Sequence, residues 1–376
     1  MTKVDLVVLA FGALQLVVYI PYESVTNTLR RATLFMLDIY LLYYVFSRGS
    51  ARAGALKDTM LSFCIACFVL VPIVVFEAAR HWLLFEEIPG RWGSPNVFAF
   101  LMRGDSLRAQ ASLGHSLTMG YVLAIAFGWW VYLGGRLESA KLHWLGGFTL
   151  WAGLFAAFSR APWLVALLIS SVFLLTSPAG RKGLLRGGLV IGVLAVPFSM
   201  TDAGQGIIAT LPFIGTVDSE NVQYRQQLAT LSWEVIQMNP FFGNPFAGNY
   251  LEELRQGQGI IDLVNTFAAM SLFYGLVGCA LFVFCFAYPL MRAAHTAFRV
   301  VPLADGGSTL GFALCASMVG TLFMMVTASF GSAFEIVSWM ICGMCCGYCA
   351  AARPVEHAIQ SGSGRAFHQD RVPTRR

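Results

Sequence analysis

Arg80, Arg91, Arg103, Arg108, Arg160, Arg225 and Arg255 are the residues of this chain with most to offer chemistry, because of where they fall. Ten apolar stretches can be threaded through a membrane so that every Lys faces the cytoplasm, and all seven arginines then lie on the outer face. That placement opposes the bias that concentrates Lys and Arg on the cytoplasmic side. A guanidinium cannot be deprotonated and presents a planar fork of donors that matches phosphate oxygens. The pattern predicts that the outer face holds a phosphate- or pyrophosphate-bearing substrate. Two further residues, His115 and Asp262, stand at the outer mouths of apolar stretches, where an imidazole or carboxylate can take a proton from a hydroxyl.

The elements that must position these groups follow from composition. With 57% hydrophobic and 12% charged residues in 376, and a mean hydropathy of +0.66, the chain reads as an integral membrane protein and not as a soluble domain. The stretches are 4–20, 29–46, 59–79, 116–134, 142–158, 162–177, 186–200, 263–290, 309–329 and 334–352, several near the ~20 residues that a bilayer core requires. All are expected to be helices, because lipid offers the backbone no other hydrogen-bond partner. Residues 1–352 thus form one all-α transmembrane domain of about ten helices, with two larger periplasmic segments, 80–115 and 201–262.

Orientation comes from the basic residues. Arg48, Arg52, Lys57, Arg136, Lys141, Arg181, Lys182, Arg186, Arg292, Arg299 and the tail, with Lys3, account for sixteen of the twenty-five Lys and Arg. They mark the cytoplasmic side and put both termini there. The other nine are the seven arginines above plus Arg30 and Arg31. Residues 353–376 read as a basic, disordered cytoplasmic tail able to touch anionic headgroups, which accounts for the net charge of +5. The first stretch has no small-residue cleavage site and reads as an uncleaved span. No nucleic-acid-binding motif is present.

The remaining features have plainer readings. Cys342, Cys345, Cys346 and Cys349 share one helical stripe, and the outer pair would lie ~10 Å apart along the axis. Zinc–sulfur bonds of ~2.3 Å cannot close one site across that distance, so the stripe reads as a packing face beside Gly343 and Gly347. No metal and no cofactor are expected. In the second outer segment Leu228, Leu231, Val235 and Met238 mark the buried face of a helix that Asn239-Pro240 ends, and Arg225 borders that face. Asp38 lies midway along the second stretch, where a carboxylate must face other helices or water.

Ser159-Arg160-Ala161-Pro162-Trp163 at an outer turn, Tyr224-Arg225 opening an outer helix and Asn239-Pro240-Phe241-Phe242-Gly243 follow one another along the chain. Ile261-Asp262-Leu263-Val264-Asn265 then leads into Tyr274-Gly275-Leu276-Val277-Gly278. Together they resemble the signature order of the O-antigen ligase/polymerase superfamily over roughly 100–280, and Arg108 to His115 is similar to that family's exopolysaccharide polymerases. The resemblance implies a metal-independent membrane glycosyltransferase of the bacterial inner membrane. Its substrate would be an undecaprenyl-diphosphate-linked oligosaccharide, polymerised into a cell-surface polysaccharide alongside other assembly and export proteins. Ligases of the family carry a His where Val264 stands here, which favours a polymerase over transfer to lipid A-core.

On that reading Arg160, Arg225, Arg108, Arg103 and Tyr224 bind diphosphate and glycan, and Asp262 and His115 are the candidates for the base. Trp82, Trp92, Tyr224 and Tyr250 offer stacking surface. Each has a structural alternative: Arg160 as an interfacial anchor, Arg225 paired with Glu220 or Glu234, Arg103 and Arg108 as solvated loop charges, His115 as a structural histidine, Asp262 as a helix cap. Asp38 supports a rival reading, a polysaccharide transporter or flippase.

Overall fold

The computed structural model describes residues 2–51, 53–88, 100–103, 106–134, 139–176, 180–189, 201, 219–255, 261–300 and 307–360. Long apolar runs close their backbone hydrogen bonds internally, and these residues are helical almost throughout. The helices are α1 (Lys3–Tyr19), α2 (Val25–Leu34), α3 (Leu42–Gly49), α4 (Ala53–Arg80), α5 (Ser116–Gly134), α6 (Ala140–Ala156), α7 (Arg160–Leu175), α8 (Ser219–Met238), α9 (Thr266–His295), α10 (Gly307–Thr327) and α11 (Ser332–Gln360). The residues at 180–189 are also helical. A two-residue antiparallel ribbon pairs Met102 with Leu107 and Arg103 with Ser106.

Among the described residues five helices are long and apolar enough to cross a membrane: Gly54–Arg80, Ser116–Gly134, Thr266–Arg299, Gly307–Thr327 and Ala333–Ala352. Arg160–Leu175 is a shorter apolar helix. Of the other expected stretches, 4–20 and 142–158 form the 17-residue helices α1 and α6. The stretch 29–46 lies in a helical run divided by a π turn at Phe35–Leu41, and 186–200 falls mostly outside the described residues.

Helix α5 is the hub. Most of its residues are buried, and its neighbours approach on small residues, as expected where apolar solvent gives helices no hydrophobic reason to associate. A Cβ on Gly120 would stand 2.7 Å from Pro162 of α7, and one on Gly128 would stand 2.3 Å from Ile169. Its polar atoms are spent internally: Trp129 Nε1 donates to Ser317 Oγ at 2.8 Å, and the Tyr121 hydroxyl meets Thr321 Oγ1 at 2.8 Å. Helix α11 packs on α3 through its glycines, where a Cβ on Gly343 would lie 2.7 Å from the Tyr43 carbonyl and one on Gly347 2.9 Å from Ser50 Cβ, while Cys342 of the cysteine stripe donates to Cys285 O of α9 at 3.2 Å.

Helix α8 buries Leu228, Ser232, Val235 and Ile236 against the 3-10 helix Ala247–Leu254 and Leu272 of α9. Met238, expected on that face, is 59% exposed, because the chain turns away at Asn239-Pro240 before the last turn can be covered.

Candidate functional site

The end of the bundle where α4 finishes, α5 begins and α6 turns into α7 is built on one buried carboxylate. Glu77, three residues before the end of α4, is fully buried. Its Oε1 accepts the amide of Leu84 at 3.0 Å, and its Oε2 accepts those of Gln110 and Ala111 at 2.9 and 2.8 Å. A charged acceptor satisfying several amides is among the stronger polar arrangements available to a protein. It fixes two loops at once, the one leaving α4 and the one entering α5. Both pass through backbone strain: His81 has φ 52° and Ala111 φ 45°, a region costly for residues with a Cβ.

A third such residue closes the α6–α7 turn. Phe158 has φ 46°, and its carbonyl accepts Arg103 Nη1 at 2.9 Å. The next residue, Ser159, is buried, and Arg108 Nη2 donates to its hydroxyl at 3.3 Å. The strand-like Arg108–Ala109 segment is tied in by backbone bonds, Arg108 N to Leu101 O at 2.9 Å and Ala109 N to Ala156 O at 3.3 Å. Arg160 leaves the same turn as the first residue of α7. Pro162 sits in the first helical turn, where its missing N–H costs nothing, and Trp163 Nε1 anchors the turn on Leu154 O at 2.8 Å.

The arginines are therefore not solvated loop charges. Arg108 is pushed down to about 10 by burial, then by the neighbouring charge of Arg103, with Asp262 pulling the other way. It remains a cation at neutral pH. The Nε atoms of both Arg108 and Arg160 are buried with no hydrogen-bond partner among the described residues, so each keeps an unused donor in a desolvated setting. Unpaired buried donors cost free energy, and an anion bound there would recover it.

His115 precedes α5. Its Nδ1 accepts the amide of Leu117 at 3.2 Å and its carbonyl that of Met119 at 3.0 Å, so it caps the helix. An accepting Nδ1 assigns the neutral ring as the Nε2–H tautomer, leaving a donor as the free nitrogen. The residue is exposed, yet desolvation by surrounding protein and then Arg108 lower its pKa, opposed by Asp262. In this geometry Nδ1 is occupied by the Leu117 amide and Nε2 is the ring nitrogen left to face a substrate.

Asp262 lies near both Arg108 and His115. It is exposed, Ser329 Oγ donates to its Oδ1 at 3.3 Å, and it acts electrostatically on both Arg108 and His115. It does not cap α9. Asn265 does so, with Oδ1 accepting the amides of Phe267 and Ala268 at 2.9 and 3.2 Å. The Asp262 backbone is bracketed by Tyr224 of α8, whose hydroxyl accepts Asp262 N–H and donates to Asp262 O, both at 3.1 Å.

The segment 239–246 has a positioning role. Helix α9 breaks at Gly275 (φ 68°, ψ −176°), and the Asn-Pro-Phe-Phe-Gly turn supplies the missing partners. Leu276 N donates to Pro240 O at 2.7 Å, Val277 N to Phe241 O at 3.3 Å, and Asn244 N to Leu272 O at 2.9 Å. Two backbones meet so closely that a Cβ on Gly243 would lie 2.4 Å from Gly275 N, and one on Gly275 2.3 Å from the Phe241 carbonyl. Irregular backbone within an apolar helix requires such re-satisfaction.

Of the residues singled out by sequence, the structure brings together Arg103, Arg108, His115, Asp262 and Tyr224, with Arg160 leaving the shared turn. Arg225 is exposed, and among the described residues no bond joins it to this group. Arg255 pairs with Glu252 at the surface, Arg80, Trp82 and Tyr250 are exposed, and Arg91 and Trp92 lie outside the described residues. Glu77 and Ser329 were missed; the signal for Glu77 was a lone carboxylate at the end of an otherwise apolar stretch. Among the described residues no group of three or more His, Cys, Asp or Glu is placed to hold a metal ion. Neither a known family model nor a curated protein matches the chain.

Proposed function

We propose that this chain is a multi-pass glycosyltransferase of the bacterial inner membrane that polymerises oligosaccharide repeats carried on undecaprenyl diphosphate, working at the periplasmic face. On this reading about ten helices span the bilayer, both termini are cytoplasmic, and the Glu77 end of the bundle faces the periplasm. The observation that carries it is the buried, unused Nε donor on each of the half-buried Arg108 and Arg160, with Arg108 interacting with both Asp262 and His115.

In the reaction the acceptor hydroxyl oxygen attacks the anomeric carbon of the donor sugar. The bond from that carbon to the phosphate oxygen breaks, and its electron pair leaves with the lipid diphosphate. Arg103, Arg108 and Arg160 hold the leaving group, and fixed cations in a water-poor site stabilise developing charge by several kcal/mol. The hydroxyl proton passes to the Asp262 carboxylate. His115 Nε2–H donates to an oxygen of sugar or phosphate.

The test is incubation of purified protein with a lipid-diphosphate oligosaccharide. A ladder of added repeats that disappears in Arg108→Ala and Arg160→Ala, with folding intact, is the expected result; an undiminished ladder from both variants overturns the reading. Transfer to a lipid A-core acceptor instead identifies a ligase. Asp38, exposed on the π turn after α2, favours the transporter reading, which requires substrate to cross vesicles and crossing to cease in Asp38→Asn.

A further inference from the structure

The chain between α8 and the 3-10 helix carries more exposed apolar surface than a solvated turn should. Phe241 and Phe242 are 66% and 61% exposed, and Met238 before them and Phe246 after them are exposed as well. Apolar side chains scattered singly over a surface need no explanation. Four large ones within nine residues form a patch of the kind that marks contact with another apolar phase. The backbone beneath them is fixed, because Gly243 and Gly275 interlock and the carbonyls of Pro240 and Phe241 accept the amides of Leu276 and Val277. The rings are thus presented outward by a rigid turn.

The neighbouring contacts say what lies there. Leu276 and Val277, bonded to the turn, are themselves exposed, and exposure recurs along α9 at Ala280, Val283, Phe284 and Met291. That is one helical stripe of apolar side chains, on a helix long and apolar enough to cross the membrane, so it faces acyl chains. Phe241 and Phe242 stand at the end of that stripe and continue it. The height of the turn is set by α1. Tyr19 in its last turn lies 6.2 Å from the Tyr274 ring, and Tyr22 just beyond packs edge-on against Phe246 at 5.3 Å. The turn is therefore level with the end of α1, and aromatic residues gather at such membrane–water boundaries. Trp233, five residues before Met238, is exposed too, and indole also favours the boundary. Further from the turn the exposed side chains of α8 are polar, among them Gln223, Arg225, Gln226 and Thr230, so only its foot suits lipid.

We propose that the Asn239–Phe246 turn is a membrane anchor: Phe241, Phe242 and Phe246 insert into the headgroup–acyl boundary of the leaflet at this end of the bundle, and α8 rises from it into water. A segment that the sequence presents as a solvated loop region is thereby held by lipid at one point. Tyr224 lies about 21 Å along α8 from Met238 at 1.5 Å per residue, and it brackets the Asp262 backbone. The anchor therefore fixes how far from the lipid surface Asp262 stands. On the transferase reading, on which this last consequence alone rests, that distance sets the reach to a lipid-linked donor.

The test uses the full chain in nanodiscs of phosphatidylethanolamine and phosphatidylglycerol. A nitroxide is attached at Phe242→Cys and, for comparison, at Gln226→Cys, and the signal that wild-type protein takes from the same reagent is subtracted. Power saturation then compares collisions with oxygen, which concentrates in lipid, and with a nickel chelate, which stays in water. Oxygen should dominate at position 242 and the nickel chelate at position 226. Dominance of the chelate at 242 puts the turn in water and overturns the anchor; collision with neither means that protein covers the turn, which overturns it equally. Dominance of oxygen at 226 overturns the upright course of α8. Wild-type protein in nanodiscs containing a diazirine-bearing phospholipid provides a check without substitution: crosslinks should fall within 238–246 and not within 223–230, and their absence from 238–246 overturns the proposal. None of these readouts depends on transfer. Lipid contact in a protein that forms no repeat ladder removes the transferase reading alone, and a ladder from a protein whose label at 242 is in water removes the anchor alone.

Discussion

Replacing Glu77 by Gln removes one charge and exchanges one oxygen for an NH2 group at the point where three amides converge. The amide oxygen can occupy the Oε2 position and keep Gln110 and Ala111, 2.9 and 2.8 Å away, but the NH2 then faces the Leu84 N–H, donor to donor. A hydrogen bond to a charged group contributes roughly 1.5–3 kcal/mol and an unsatisfied buried donor costs about 1–3 kcal/mol. The loss of one bond and the weakening of two others should destabilise the protein by about 2–4 kcal/mol. The strain at His81 and Ala111, of order 1–3 kcal/mol each, is held by the same carboxylate. Its release should let the 108–113 loop relax, drawing Arg108 away from Ser159. Amide hydrogen exchange at Leu84, Gln110 and Ala111 reports the loops directly, thermal unfolding reports stability, and the repeat ladder reports the site. Unchanged protection at all three amides, with a wild-type unfolding midpoint, refutes the argument that Glu77 organises this end of the bundle.

Arg108→Ala and Arg160→Ala should each lower transfer by about 10²–10³, the usual loss for one preorganised electrostatic donor, while Arg160→Lys recovers only part because a point charge lacks the planar fork. Initial rates on the lipid-linked substrate, with folding checked by circular dichroism, decide this. Gly275→Ala and Gly243→Ala should each destabilise by roughly 3 kcal/mol or more, since positive φ and a backbone clash act together; a thermal midpoint within a degree of wild type contradicts the interleaved backbone. His115 has a folded pKa below its ordinary 6.5, through burial and Arg108. Above pH 6.5 it is neutral in both states; as pH falls below, the unfolded chain takes the proton first and native stability is lost down to the folded pKa. His115→Gln should flatten that part of the pH–stability curve, and an identical curve in the variant argues against the assignment.

The helices were legible because hydropathy and the demands of an apolar solvent both act locally. The packing role of the α11 stripe was legible for the same reason, but not that Gly343 and Gly347 meet α3 while Cys342 meets α9. The arginines were legible as a class but not as a constellation. Nothing in the sequence separates Arg108, which enters a buried turn against Ser159, from Arg225, which stays exposed, because the difference lies in contacts between segments some fifty residues apart. His115 was found by position, but its contact with the Leu117 amide, which engages Nδ1, was not legible in the sequence. Asp262 was read as a possible cap, yet Asn265, three residues on, has the shorter side-chain reach to the first free amides of α9.

The two motifs at 239–243 and 274–278 also divide their labour in a way that residue type alone does not disclose. Asn239 to Gly243 and Tyr274 to Gly278 contain nothing able to move a proton except one tyrosine, and their glycines face each other across a backbone contact that no side chain can enter. Their work is mechanical: the turn completes a broken helix, and the break sets the course of α9 below Asp262. Helix α8 then reaches the same aspartate from the other side through the Tyr224 hydroxyl, which holds both its N–H and its carbonyl. A carboxylate on an irregular loop thereby has its main chain fixed at two points while its side chain stays open to solvent. That is the arrangement a general base requires, since a hydrogen-bonded proton transfer tolerates little displacement of the accepting atom. Tyr224→Phe is the narrow probe of this argument: it removes one oxygen and no volume of consequence, frees the Asp262 peptide, and should lower transfer several-fold while leaving the arginines untouched. A wild-type rate in Tyr224→Phe means that Asp262 does not depend on that brace, and its role as base then loses its structural support.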